Sequence, residues 1–139
     1  MATPKVTRRE GRFADDRLAY RIWDVADASI CRELVNPKLK RAPGYEQSHP
    51  GWIYGLQYTA NGKRLVSAGL APGGKGYLAV WDADAGKLLH GEELPLGAFH
   101  SLALLPGDRG VVVGAGPRGA KGGKDLNKAY VLTVPGMGP

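Results

Sequence analysis

Cysteine is nearly absent from this sequence, which has one such residue, Cys31, in 139. A lone cysteine can form neither an intramolecular disulfide nor a cysteine metal cluster. No stretch of about 18 apolar residues occurs, so no membrane-spanning helix is predicted. The first residues, 1–13, are charged, and no apolar segment follows them as it would in a signal peptide. These absences predict a cytoplasmic protein.

The charge is basic, with 19 Lys and Arg against 13 Asp and Glu and a net charge of +6. A basic surface can attract nucleic acid or acidic partners through its electric field. The positive residues are nevertheless spread over three segments, at 5–12, 38–41 and 118–128. Solvated loops explain this distribution more simply than one basic surface, so nucleic-acid binding is kept as an alternative only.

Residues 53–89 carry the clearest structural pattern, IYGLQYTANGKRLVSAGLAPGGKGYLAVWDADAGKLL. Four short apolar runs are separated by turn residues, among them Asn61-Gly62 and Asp84-Ala85-Gly86. Strand-like runs bounded by such residues are typical of antiparallel hairpins. The 21 glycines and 10 prolines of the chain also favour a turn-rich β protein over a helical one.

The pattern recurs along the chain. A shift of 46 residues lays 55–68 over 101–114 without a gap, apolar on apolar and turn on turn. Upstream, 18–29 matches 76–87 around two Trp-Asp pairs, Trp23-Asp24 and Trp81-Asp82. Repeats of about this length that end a strand in Trp-Asp resemble the WD-repeat family of β-propellers. The resemblance implies an all-β fold of antiparallel four-stranded blades, about two to three of them here.

In the WD-repeat family a His, a Ser or Thr, the Trp and an Asp form a hydrogen-bonded network within each blade. The resemblance assigns His49, Ser67 and Trp81 to these positions in the middle unit, but 69–76 contains no Asp. The Trp-Asp pairs place Asp82, Trp23 and Asp24 at repeat positions as well. We expect a structural role for all six residues, and burial of Leu56, Tyr58, Leu65, Ser67, Leu78, Val80 and Trp81.

The expected organisation is an N-terminal arm at 1–11, a partial propeller at 12–134 and a tail at 135–139. The repeat units cover about 12–36, 49–91 and 97–134, whereas a complete propeller needs about four to eight blades. Incomplete blades expose strand edges and apolar faces. We therefore expect one of two situations. Either the chain is a fragment of a longer propeller, or it associates with a protein partner or with other copies of itself.

Catalytic patterns are weak. Ser67 lies in no GxSxG elbow, and Cys31 fits a small core residue. The three histidines, His49, His90 and His100, lack the spacing of a metal site, and we expect His90 to be exposed and His100 to be half-buried. The Gly-rich segment 114–124 lacks P-loop spacing and is followed by a predicted strand. The sequence predicts no catalytic residue, no cofactor and no metal.

The remaining candidates for binding are Trp52 and Tyr54, at the start of a predicted first strand, with the long loops at 36–51 and 114–128. Packing of Trp52 against the next blade is the alternative that the pattern favours, since aromatic residues of a repeat usually belong to its core. The predicted function is a non-catalytic scaffold for protein interaction. The alternatives are a nucleic-acid-binding module and the propeller portion of a bacterial haem- or quinone-associated redox protein, although no CxxCH motif occurs.

Overall fold

The computed structural model describes residues 2–7, 19–24, 26–27, 30–39, 47–117 and 127–137. In β1, β2 and β3, defined below, it covers only the backbone, except at Ile22, Glu33 and Leu34. Ten strands and two single turns of 3-10 helix, at Pro72–Gly74 and Pro106–Asp108, make up the regular structure of these ranges. None of the helical turns there is long and apolar enough to cross a membrane.

The strands form three antiparallel sheets. The first sheet contains β1 (Ala2–Thr7), β2 (Ala19–Asp24) and β3 (Ile30–Leu34). The middle sheet contains β4 (Ile53–Tyr58), β5 (Arg64–Ala71), β6 (Lys75–Asp82) and β7 (Lys87–Leu94). The third sheet contains β8 (Ala98–Leu104), β9 (Val111–Gly116) and β10 (Lys128–Leu132). The predicted all-β, antiparallel fold class is confirmed.

The middle sheet follows the order β4-β5-β6-β7, as its sequence pattern predicts. Its first hairpin turns at Asn61-Gly62, where Gly62 has φ +72°, a left-handed conformation that glycine adopts without a steric penalty. Its last hairpin turns after Asp82, whose Oδ1 accepts the backbone N–H groups of Asp84 and Ala85, both at 3.0 Å. Asx-type bonds of this kind fix the turn locally.

The third sheet repeats the middle one at the 46-residue shift, with β8 and β9 where the sequence places equivalents of β4 and β5. The two sheets lie very close at Gly55, where a Cβ atom added to the glycine would lie 2.7 Å from Cβ of Leu102. Their first turns are joined as well, because the Asp108 carboxylate accepts the N–H of Ala60 at 3.1 Å. The strand predicted after the Gly-rich loop is β10.

The first sheet differs from the sequence interpretation at its beginning. Residues 1–11 are predicted as an arm or as a strand without a neighbour, but residues 2–7 form β1, which pairs antiparallel with β2. The segment ATPKVT alternates apolar with polar residues, but it is short and contains a proline, so it gives only a weak strand signal. The Trp-Asp match makes β2 the equivalent of β6. In the first sheet, β2 lies between β1 and β3.

Two apolar clusters lie on opposite faces of the middle sheet, as the two-residue period of a strand dictates. One cluster lies between the middle and third sheets. It contains Val66, Ala68, Leu78, Val80, Phe99, Val111, Val113, Val134 and Met137. The other is buried against the first sheet and includes Ile22, Leu34, Leu65, Tyr77, Ala79 and Trp81. Of the residues expected to be buried, Leu65, Ser67, Leu78, Val80 and Trp81 are buried, whereas Leu56 and Tyr58 are half-buried.

Candidate functional site

Three side chains of the middle unit meet in a buried hydrogen-bonded chain. His49 Nε2 lies 2.6 Å from Ser67 Oγ, and Trp81 Nε1–H donates to the same oxygen at 2.9 Å. All three residues are fully buried. β5 and β6 carry Ser67 and Trp81 on the face toward the first sheet, and His49 approaches that face from the segment before β4.

Burial lowers the pKa of His49 from 6.5 to about 3, so its ring is neutral at physiological pH. The indole N–H can only donate, so Ser67 Oγ accepts from Trp81. Its single hydroxyl hydrogen can then be donated to Nε2 when the neutral His49 ring carries its proton on the other nitrogen. The ring of His49 also packs edge-on against Tyr77, with centroids 4.9 Å apart.

The polar network extends to the connector before β4. Asn36 Nδ2 donates to the hydroxyl of Tyr77 at 2.8 Å, and the Asn36 N–H donates to the Gln47 carbonyl at 2.7 Å. Gln47 Nε2 donates to the His49 carbonyl at 2.8 Å, and the Ser48 hydroxyl donates to the carbonyl of Leu34. The two described ends of the connector, 36–39 and 47–50, are thus bonded to each other, to β6 of the middle sheet through Tyr77, and to β3 of the first sheet through Leu34. Burial of the whole network suits it to holding the sheets together rather than to contacting a substrate.

The other repeat positions lie apart from this network. Asp82 is at the surface, where the N–H of Ala85 is the main cause that lowers the pKa of its carboxyl group. A guanidinium nitrogen of Arg64 lies 3.9 Å from its carboxylate. Trp23 and Asp24 end β2, where the backbone of Trp23 is paired with those of Thr3 and Ile30, and their side chains are outside the described part of the chain. The same holds for the side chain of Cys31.

The sequence reasoning missed Asn36, Gln47, Ser48 and Tyr77 as members of the network. Tyr77 stands at the start of a strand, where an aromatic residue is expected to pack rather than to accept a hydrogen bond. Asn36, Gln47 and Ser48 lie in a connector rich in polar residues, whose composition predicts exposure. A partner 41 residues away, as Tyr77 is from Asn36, leaves no local signal.

Trp52 and Tyr54 are exposed, at 47% and 38% of their surface. The ring of Tyr54 lies beside that of His100, with centroids 5.2 Å apart and planes at 34°. His100 is exposed rather than half-buried, because it occupies, 46 residues on, the position of Tyr54 in the preceding unit. Packing of Trp52 against the next blade, the alternative that the sequence pattern favours, stays a prediction. We call Trp52, Tyr54 and His100 the aromatic surface.

A depression of about 450 Å³ adjoins His100 on the third sheet, and Ser101, Gly114, Pro117 and Lys128 contribute to its lining. His100 Nε2 lies 3.3 Å from the Pro117 carbonyl oxygen at its rim. The two loops predicted to accompany Trp52 and Tyr54 are described only in part, because 40–46 and 118–126 lie outside the described residues. A second depression, of about 470 Å³, adjoins the first and last hairpin turns of the middle sheet. It is lined by Ile22, Tyr58, Thr59, Ala60, Asn61, Gly62, Ala83 and Asp84.

Within the described ranges, no set of three or more His, Cys, Asp or Glu residues lies close enough together to hold a metal ion. His90 is half-buried and lies 3.2 Å from the carboxylate of Glu92, so it is less exposed than the sequence suggests. Both side chains that hydrogen-bond to the Ser67 hydroxyl, those of His49 and Trp81, are buried in the core.

Comparison with protein-family models gives no match, and comparison with curated protein sequences gives none either. Solved structures do match the fold. The WD40 β-propeller domain of Doa1 superimposes with a TM-score of 0.56 at 15% identity, over 86% of this chain and 32% of that chain. The computationally designed Ika4 protein superimposes with a TM-score of 0.53 at 21% identity, over 83% of this chain and 54% of that one. The chain thus spans about a third and about half of these two structures, and the similarity shows that its sheets have the architecture of WD40 propeller blades.

Proposed function

We propose that this protein is a non-catalytic interaction module in which propeller-type sheets hold the aromatic surface against a protein partner. The observation that carries the proposal is the exposure of Trp52 and Tyr54 at the start of β4, with Tyr54 beside His100. Tyr54 and His100 each lie at a register irregularity of their strand, the equivalent one in β4 and β8. Large aromatic side chains that remain exposed on a rigid support are the residues that most often anchor a protein interface.

The position of these rings in the fold supports a binding role. Tyr54 and His100 stand at equivalent places of successive units, on β4 and β8, which lie next to one another across the two sheets. Gly55 permits the close approach of β8 that brings the rings together. Strands place side chains more reproducibly than loops do, so little conformational entropy is lost when a partner covers them.

A protein partner fits this surface better than the alternatives. Aromatic rings can also stack on the bases of a single-stranded nucleic acid, but such sites follow a continuous basic groove. Among the described residues that line the neighbouring depression, Lys128 is the one basic residue besides His100. A partner segment with one or two apolar side chains and a few hydrogen-bonding groups matches the rings and that rim.

Site-specific photo-crosslinking tests the proposal. A photoreactive phenylalanine analogue is placed at position 52 of the full chain in its native cells, with the same analogue at exposed Leu89 on β7 as the matched control. We expect a discrete protein adduct from position 52, at least fivefold weaker when Tyr54→Ala is added, and no such adduct from position 89. Equal adducts at both positions, or a nucleic-acid adduct at 52, would refute a protein interface on the aromatic surface.

A further inference from the structure

The contact between the middle and third sheets has a pair of valines at its centre. Val66 on β5 and Val80 on β6 are directly paired across the two strands, and both are completely buried. Gln57 on β4 continues the same row, since it is paired with Val66. The third sheet covers the two valines with Val111 and Val113, whereas Gln57 at the end of the row is exposed. The valines therefore mark where one sheet packs on the next.

The third sheet repeats this row on its other side. Val112 on β9 is paired with Val131 on β10 and with Ala103 on β8. At the 46-residue shift Val112 corresponds to Val66 and Ala103 to Gln57, and the strand register makes Val131 the equivalent of Val80. The equivalent residues differ in burial, however, because Val80 is fully buried and Val131 is 68% exposed.

This side of the third sheet, which we call the outer face, consists of small or apolar residues. The row Ala103, Val112 and Val131 is followed by a row of Ser101, Gly114 and Ala129, and the two rows contain no charged side chain. The depression of about 450 Å³ lies over the second row. Lys128 borders the depression and β8 has a register irregularity between Phe99 and Ser101, but the row Ala103, Val112 and Val131 itself has no lysine or proline. An exposed row of this kind favours packing against another sheet.

We propose that the outer face of the third sheet binds a second copy of this chain, through that copy's first sheet. In the middle sheet, the equivalent row packs against the third sheet, which has the same architecture. We therefore expect the row of the third sheet to pack against another sheet of this kind. Within the described residues the middle sheet is covered on both faces, by the first and third sheets. The first sheet is the part of a second copy that continues the repeat in the same direction.

The contact is heterologous, joining unlike surfaces of the two copies, and it closes into a ring when the rotation between copies allows. The described residues of each copy form three sheets, so those of two copies form six and those of three copies form nine. Propellers have typically four to eight blades, which favours two copies. This interface adjoins the aromatic surface at the depression that His100 lines, but it does not include Trp52 or Tyr54 and goes beyond the proposed function.

Sedimentation velocity of the full chain over a hundredfold range of concentration tests the proposal. We expect the unaltered chain to sediment above its monomer mass of 14.8 kDa at the upper end of the range. Val131→Lys and Val112→Lys each put a charge at the equivalent of a buried valine and should raise the dissociation constant at least tenfold. Leu89→Lys is the matched control, an apolar-to-lysine change at an exposed strand position of the middle sheet, and should leave association unchanged.

Circular dichroism establishes which of the two row variants is folded, and one folded variant is sufficient because the residues lie on different strands. A monomer at every concentration, association unaffected by a folded row variant, or equal loss in Leu89→Lys would each overturn the proposal. Crosslinking at position 52 is read separately in the Val131→Lys chain. An adduct that persists in dissociated Val131→Lys supports both interfaces, whereas loss of both signals together would show that they are one surface and overturn this proposal.

Discussion

The two faces of the middle sheet are covered by different chemistry. Toward the third sheet the contact is apolar, with Val66 and Val80 at its centre. Toward the first sheet it combines Leu65 and Trp81 with a chain of buried polar groups that includes His49. In its core, the contact with the third sheet is stabilised by burial of apolar surface. The contact with the first sheet is stabilised by burial of apolar surface together with buried hydrogen bonds.

This difference separates strength from specificity. Apolar burial contributes roughly in proportion to area and tolerates substitutions that preserve volume. A buried polar network stabilises only the arrangement in which each member has its partner, because an unsatisfied polar group in the core costs about 1–3 kcal/mol. The face toward the first sheet therefore fixes the position of the connector at 47–49, which the apolar face has no means to do.

The largest effect is expected at Trp81, where both kinds of stabilisation meet. Trp81→Ala should lower the free energy of unfolding by about 3–5 kcal/mol, because it leaves a large cavity and removes the donor to Ser67. Chemical denaturation at low protein concentration measures the change. Trp81→Phe is the control, since it keeps most of the apolar volume and loses the N–H. We expect a smaller loss of unfolding free energy, due mainly to the missing hydrogen bond to Ser67. An unchanged midpoint for Trp81→Ala would show that the ring is not part of the core.

A polar group placed on the apolar face tests the comparison from the other side. Val66→Thr keeps the shape of the side chain and puts a hydroxyl among Val80, Phe99 and Val113, where it should cost about 1–3 kcal/mol. Val131→Thr makes the same change at the equivalent row of the third sheet, where 68% exposure lets water solvate the hydroxyl. Thermal or chemical unfolding of both variants as monomers gives the two costs. Equal costs would mean that the two faces do not differ in polarity as the structure indicates.

Much of the middle and third sheets could be predicted from the sequence, and the reasons are local. Alternation and turn chemistry mark β4 to β6, and the self-match carries the prediction to β8 and β9. The pairing of β1 was not predicted because its six residues include a proline and give only a weak strand pattern. The Asn36–Tyr77 bond was not predicted because nothing in either segment specifies the other. Exposure of His100 could have been inferred from the repeat, since His100 and Tyr54 share one position.

Acidity should weaken the polar face selectively. The pKa of His49 is about 3 in the folded protein and 6.5 in its unperturbed state, so the unfolded chain binds the extra proton between these values. Stability from this group is complete above pH 6.5 and is lost as the pH falls toward 3. One such proton gives a slope that approaches about 1.4 kcal/mol per pH unit. Unfolding free energies between pH 5 and 6.5, above most carboxyl titrations, should show the slope.

The matched variants for this pH dependence are His49→Gln, which removes the titrating ring, and His100→Gln, which removes an exposed one. The slope should disappear in the first and persist in the second. Because the apolar face has no titratable side chain among its core residues, a slope that survives His49→Gln would place the pH sensitivity elsewhere and contradict the burial argument.

The smallest effect is expected where the two sheets meet outside their cores. The carboxylate of Asp108 accepts the N–H of Ala60 and thereby joins the first turns of the middle and third sheets, but the bond is exposed, so water competes for both groups. Asp108 also holds φ at 54°, a left-handed conformation that Asp and Asn tolerate better than Ala does. Asp108→Ala should therefore cost about 1 kcal/mol in denaturant unfolding. Asp108→Asn keeps an acceptor oxygen and the tolerance for positive φ, and it should cost less than half as much. An Asn variant as unstable as the Ala variant would mean that the carboxylate charge, rather than the bond and the backbone, holds the two turns together.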